Sequence, residues 1–232
     1  MASSAEPARD SVWRRAGRFL AGAFVAIAIL SCGSSTDVPT TIPGIHKILI
    51  LGNSITLHGP SPEIGWTGDW GMAATSAARD YAHVVAAHVP GAALEIHNIS
   101  TLETNPELFA LHSLDSSLAQ APDLVIVELG DNARDASTFR TAYQALMSRI
   151  VAAQPARILC TTTWWGGGTI DAVIRSACTG PTARVVEIGD LYANPLNRAA
   201  SERSSLDSGV AIHPGDRGMT ELANAILRSL AQ

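Results

Sequence analysis

Five short aliphatic runs constrain this chain more than any other feature: Lys47–Leu51 (KILIL), Leu94–Ile99 (LEIHNI), Asp123–Leu129 (DLVIVEL), Arg157–Thr162 (RILCTT) and Arg184–Ile188 (RVVEI). Near-continuous apolar runs of this length are what strands buried on both faces require, and such strands belong to parallel sheets covered by helices. The segments between them, Met72–His88, Pro106–Gln120, Ser137–Gln154 and Thr169–Cys178, carry apolar residues three and four apart, as does the closing stretch Asp216–Leu230. That spacing gives a helix one buried stripe. Strands alternating with helices predict an α/β fold, a three-layer α/β/α arrangement around a doubly wound, five-stranded parallel sheet of flavodoxin type. Ligands gather beyond the carboxyl ends of such strands. The rule selects Gly52–Thr56, Ser100–Glu103, Gly130–Asp135, Thr163–Gly168 and Gly189–Asn194 before any motif is considered.

Ahead of this domain, Arg9, Arg14, Arg15 and Arg18 precede a twelve-residue apolar run, Phe19 to Leu30. A basic stretch followed by a short apolar one reads as a secretory signal, and the run is shorter than the roughly 20 residues of a membrane span. It ends in Ile29-Leu30-Ser31-Cys32, which resembles the bacterial lipobox, whose Cys is lipidated after cleavage. The organisation expected is therefore a signal peptide at 1–31, a flexible tether at 32–44 and a folded domain at 45–232. An exported bacterial protein, anchored in the cell envelope through lipid on Cys32, follows from that reading. The tether is small, polar and Pro-containing, as a flexible connection should be. In an oxidising compartment Cys160 and Cys178 have the opportunity to pair, although two buried thiols fit the sequence as well. With 47% hydrophobic and 16% charged residues the chain is too apolar for disorder, and its net charge of −5 gives no footprint for nucleic acid. It has no CxxC and no His-rich tract of ligand spacing, so no metal and no cofactor is expected.

Gly52-Asn53-Ser54 places a hydroxyl just beyond the first strand. Serine is inert as a nucleophile unless a base takes its proton. Of seven histidines, His213 stands immediately before the last helix, where a loop end would bring it to the same sheet edge. Gly130-Asp131-Asn132, after the third strand, offers a backbone N–H or an amide for an oxyanion. Taken in this order, the three blocks resemble the SGNH, or GDSL-like, hydrolase family, whose members carry Ser, Gly, Gly-x-Asn and His at these successive positions. The resemblance runs from about Ile45 to the C-terminus. It implies the SGNH hydrolase fold and a serine esterase with Ser54 as nucleophile and His213 as base. Gly52, Asn53, Ser100, Gly130 and Asn132 would then lie around the oxyanion and substrate.

Two positions depart from the family pattern. The Gly expected after the second strand is absent from Asn98-Ile99-Ser100-Thr101, leaving a backbone N–H of Ser100 or Thr101 for that role. The Asp expected three residues before His213 is Val210. Asp207, six residues upstream, is one candidate to orient the imidazole; a backbone carbonyl, or an acid from another loop such as Glu103, is the alternative. Trp66 and Trp70 in the loop after Ser54, and Trp164-Trp165 after the fourth strand, would line a sugar site or else pack as a lid or core. His58 is read as structural, and His83, His88, His97 and His112 as packing or solvent-facing residues. The expected substrate is a small acyl ester, acetyl by family analogy, on a small molecule or carbohydrate. An O-acyltransferase using the same site, and a catalytically inactive surface binding module, are the alternatives.

Overall fold

In a computed structural model of the protein, residues 38, 41–204 and 206–232 are described. The expected signal peptide, most of the expected tether and Cys32 lie outside them. Strands β1 (Lys47–Gly52), β2 (Ala93–Asn98), β3 (Leu124–Glu128), β4 (Arg157–Thr161) and β5 (Ala183–Val186) pair in parallel, in the order β2-β1-β3-β4-β5. Period-two alternation decides which layer each side chain enters. Ile48 and Ile50 of β1 point into one core, and Leu49 and Leu51 into the other.

Seven α-helices are described: α1 (Tyr81–Ala87), α2 (Thr101–Thr104), α3 (Asp115–Ala119), α4 (Ala136–Ala152), α5 (Thr169–Ala177), α6 (Ser208–Ala211) and α7 (Asp216–Leu230). Tyr81 and Val85 of α1 share the first core with Met219, Leu222 and Ile226 of α7. Phe139, Tyr143 and Leu146 of α4 share the second with Val173 and Ile174 of α5. This is the expected doubly wound, three-layer sheet. The chain reverses its direction of winding at β1, so the crevice between the carboxyl ends of β1 and β3 is the switch point where such folds bind ligands.

Two expected helices are shorter than their apolar spacing implies. Over Met72–His88 a regular helix covers only Tyr81–Ala87, because Ala73 takes φ +73° and Asp80 caps the start by accepting the His83 N–H. Over Pro106–Gln120 the chain forms two 3₁₀ turns, Pro106–Leu108 and Leu111–Leu114, before α3. Leu108, which a continuous helical stripe would bury, is exposed there. At the other end of the domain Ile42 is buried and its N–H bonds the His88 carbonyl at 2.7 Å, so the packed chain reaches ahead of Ile45.

Cys160 on β4 and Cys178, the residue after α5, form a disulfide with Cα atoms 6.2 Å apart. A helix antiparallel to its strand returns the chain to a similar height, which satisfies the reach of a disulfide. The sequence separation is 18. Closing a loop of that size removes unfolded-state entropy worth about 3 kcal/mol. Cys160→Ala/Cys178→Ala is expected to lower the melting temperature by roughly 6–12 °C, at 2–4 °C per kcal/mol in a domain this large. Circular dichroism melts measure it, and reductant should shift the wild type to the same value.

Candidate active site

Ser54 sits on a tight turn that its neighbours fold without help. Asn53 Oδ1 accepts the Ile55 N–H at 2.9 Å, and the Asn53 carbonyl accepts the N–H groups of Thr56 and Leu57. Such Asx turns reverse the chain locally and lift the intervening side chain clear of the strand. Gly52 permits the reversal: a Cβ there would collide with the Thr56 hydroxyl, and its own carbonyl is taken by Ile99 N–H at 2.7 Å. The Ser54 carbonyl is tied to Met72 N–H at 2.8 Å. Met72 and Ala73 join Trp66, Ala199 and Val210 in a small separate core, which clamps the serine loop to the loop before α7.

Ser54 Oγ lies 2.9 Å from His213 Nε2. The other ring nitrogen, Nδ1, lies 2.7 Å from the Gly209 carbonyl oxygen. A carbonyl only accepts, so Nδ1 carries the hydrogen and Nε2 presents its lone pair to the Ser54 hydroxyl. Burial lowers the His213 pKa from 6.5 to about 4, against the Gly209 hydrogen bond, which raises it. The imidazole is therefore neutral through the physiological range, the form in which Nε2 is able to accept a proton. Because protonation disables the base, kcat/KM is expected to hold as the pH falls past 6 and to drop only near pH 4. Rate against pH on a neutral ester measures this limb; a midpoint near 6.5 would contradict it. Linkage has the same sign: the unfolded chain binds the proton more tightly, so His213 costs stability as the pH falls from about 6.5 toward 4.

Asp207 does not orient His213. Its carboxylate accepts the Gly209 N–H at 2.7 Å and caps α6, and the Gly209 carbonyl takes the imidazole instead. The four-residue α6 brings that carbonyl up, and His213 N–H closes the turn onto Val210. Further support comes from Trp164, whose indole N–H bonds the Ile212 carbonyl, and from Trp165, whose ring meets His213 edge-on at 5.5 Å.

On the β3 side, Gly130 takes φ +122° and Asn132 reaches the same cleft as Ser54 and His213. Asn132 Nδ2 donates to Glu103 Oε2 at 2.7 Å, which leaves its second hydrogen uncommitted. No acceptor among the described residues takes the Ser54 N–H. Both N–H groups belong to residues lining the cleft and neither is committed to a protein acceptor, which leaves them for a carbonyl oxygen. Ser100 lines the cleft, but its N–H is held by Asn98 Oδ1 at 2.9 Å and is not offered to an oxyanion. Gly52 and Gly130 shape turns rather than touch the cleft, and the Asn53 amide is buried beneath it, with Glu103, Glu128 and Asp131 as acceptors. Glu103 likewise stands away from His213, under Asn132.

The cleft is open, about 360 Å³, and is lined by Ser54, His213 and Asn132 with Asn98, Ser100, Thr104, His58, Asp207, Gly209, Ile64 and Met72. No Lys or Arg lines it. Trp66 and Trp70 do not line it either: they meet edge-on at 5.7 Å, and their indole N–H groups hold the His58 and Ala74 carbonyls. Their surface is spent on bracing the loop. His58, read from sequence as structural, lines the cleft while its Nδ1 donates to the Gly59 carbonyl. Sequence reasoning passed over Gly209, whose contribution is a backbone atom and leaves no residue signature. It also passed over Glu128, although a carboxylate interrupting the aliphatic run Val125-Ile126-Val127 is a visible signal.

Three crystal structures resemble this architecture. A two-domain esterase active on acetylated mannans matches with TM-score 0.53 and 19% identity over 80% of this chain and 48% of its own. An alpha/beta hydrolase enzyme from the metagenome of Lake Arreo, Spain, matches with TM-score 0.56 and 17% identity over 84% and 98%. A protein described as a GDSL-like lipase, from Parabacteroides merdae, matches with TM-score 0.52 and 15% identity over 82% and 99%. The chain spans about half the length of the two-domain esterase. No protein-family model and no curated protein matches the sequence. The chain has the fold of the SGNH-like hydrolases.

Proposed function

We propose that the protein is a serine esterase that transfers a small acyl group, acetyl in the simplest case, from a neutral hydroxyl-bearing compound to water. The observation that carries this reading is the 2.9 Å contact between Ser54 Oγ and His213 Nε2, with Nδ1 held by a carbonyl. In the reaction, Oγ bonds to the ester carbonyl carbon as its proton passes to Nε2. The carbonyl oxygen becomes an oxyanion, held by the Ser54 N–H and the second Asn132 N–H. Collapse breaks the carbon–oxygen bond to the alcohol, which leaves with the proton from Nε2. Water then repeats the sequence on the acyl-serine, losing its proton to Nε2 and releasing the acid as Ser54 regains that proton.

Substrate preference follows from the lining. Ile64 and Met72 give apolar surface for a short acyl chain, and Asn98, Ser100 and Thr104 offer donors and acceptors to hydroxyl groups. A cleft without Lys or Arg, rimmed by Asp207, offers nothing to an anionic ester. The carbohydrate part of the reading is supported by this polar lining and by the activity of the two-domain esterase of like fold on acetylated mannans. The alternative of an inactive binding module is disfavoured by the aligned Ser54–His213 pair.

Turnover of p-nitrophenyl acetate, butyrate and octanoate tests the activity, and acetate release from acetylated polysaccharide tests the substrate. Acetyl should be preferred over octanoyl, and a fluorophosphonate should label Ser54. Failure of both labelling and turnover would refute the esterase. For location, we propose export with lipid attachment at Cys32, consistent with the Cys160–Cys178 disulfide, which persists in oxidising compartments. A fatty-acid analogue should label wild type and not Cys32→Ala; an unlabelled wild type would refute the anchor.

A further inference from the structure

We propose that Glu103 is a positioning residue for the oxyanion donor, locking the Asn132 amide in the one orientation that turns an N–H toward the cleft. This inference rests on the esterase reading above. Glu103 is 4% exposed, on the short α2, and no Lys or Arg among the described residues pairs with it. Three N–H donors converge on its carboxyl: the Gly130 backbone N–H, Asn132 Nδ2 at 2.7 Å and Asn53 Nδ2 at 3.3 Å. A buried carboxylate without a cation costs more than an apolar residue of the same volume, so its presence calls for a role that an apolar side chain would not fill.

That role lies in the two-faced chemistry of an amide. Rotation of the Asn132 amide by half a turn exchanges an oxygen for a nitrogen, and only the nitrogen can stabilise a developing oxyanion. A carboxylate accepts only, so it binds the Nδ2 edge and rejects Oδ1. A glutamine at 103 would tolerate both orientations, since it carries a donor and an acceptor.

The charge state fits. Burial raises the Glu103 pKa, while hydrogen bonds from Asn132, Gly130 and Asn53 work in the opposite direction. Beneath it stand Glu128, fully buried, and Asp131, half-buried. Burial raises the pKa of both; the charges of Asp131 and Glu103 raise Glu128 further, whereas at Asp131 a hydrogen bond from Glu128 works against burial. The N–H donors gather on Glu103, and an ionised carboxylate is the form that accepts from all of them.

Glu103→Gln should lower kcat on p-nitrophenyl acetate about tenfold with KM nearly unchanged, the split expected when an interaction made only in the transition state is weakened. A double-mutant cycle separates positioning from general structural damage. If Glu103 acts through Asn132, adding Glu103→Gln to Asn132→Ala should change kcat by less than about twofold, because the donor it orients is already gone. Equal kcat in Glu103→Gln and wild type, or losses that multiply in the double variant, would overturn the proposal and leave the esterase standing. A wild type that hydrolyses no ester would overturn both. Should Glu103→Gln fail to fold, the wild-type Asn132 side-chain amide still decides. Assigned by NMR through its absence in Asn132→Ala, it should show one proton shifted downfield and protected from solvent exchange by the Glu103 carboxylate; two protons with the shifts and exchange rates of a free amide would overturn the proposal.

Discussion

Ser54→Ala is expected to reduce kcat on a small sugar acetate by on the order of 10⁴-fold or more while leaving the thermal melt unchanged, because the nucleophile is lost and only binding and oxyanion donors remain. Ser54 is half-buried on a turn fixed by the Asn53 and Met72 backbone, so removing its hydroxyl disturbs no packing. The informative comparison is Asp207→Asn measured alongside it. In a Ser-His-Asp arrangement that substitution costs several powers of ten, since an amide cannot support the imidazolium. Here the imidazole rests on the Gly209 carbonyl, and an asparagine can still cap α6 through its Oδ1. Asp207→Asn is therefore expected to stay within a few-fold of wild type. A loss of a hundredfold or more would show that the carboxylate reaches His213 during turnover.

Asn132→Ala is expected to lower kcat by roughly 10²- to 10³-fold, the scale of removing one oxyanion donor from a preorganised site. KM should change little, because the ground-state carbonyl needs the donor less than the developing anion does. The expected loss sits near the upper part of that range because the Ser100 N–H is committed to Asn98 and gives no third donor. Steady-state kinetics of purified Asn132→Ala on the same acetate measure both parameters. A drop confined to KM would place Asn132 in ground-state binding rather than at the oxyanion.

The strands, their parallel sheet and the positions of Ser54 and His213 were legible in the amino-acid order because local rules decide them. Continuous apolar runs specify strands buried on both faces, alternation divides Ile48 and Ile50 from Leu49 and Leu51, and the end of a parallel strand is where a loop residue meets ligand. Asn132 belonged to the same class, being carried to the sheet edge by the strand before it. The partner of the imidazole and the fate of the Trp66 and Trp70 indoles were decided otherwise. Gly209 acts through a carbonyl that every residue possesses, so only the placement of α6 singles it out. Trp66 and Trp70 have the composition of a sugar platform, but each indole N–H found a backbone carbonyl within its own loop, which turned both rings away from the cleft. The Glu103, Glu128 and Asp131 cluster is the clearest case. Its members come from α2, the end of β3 and the turn that follows, and only the parallel registers of β2 and β3 on either side of β1 bring all three carboxyls onto the one amide of Asn53. Sequence pattern sets which groups reach the sheet edge; long-range packing sets which of them touch, because a hydrogen bond tolerates errors of tenths of an ångström that no residue spacing encodes.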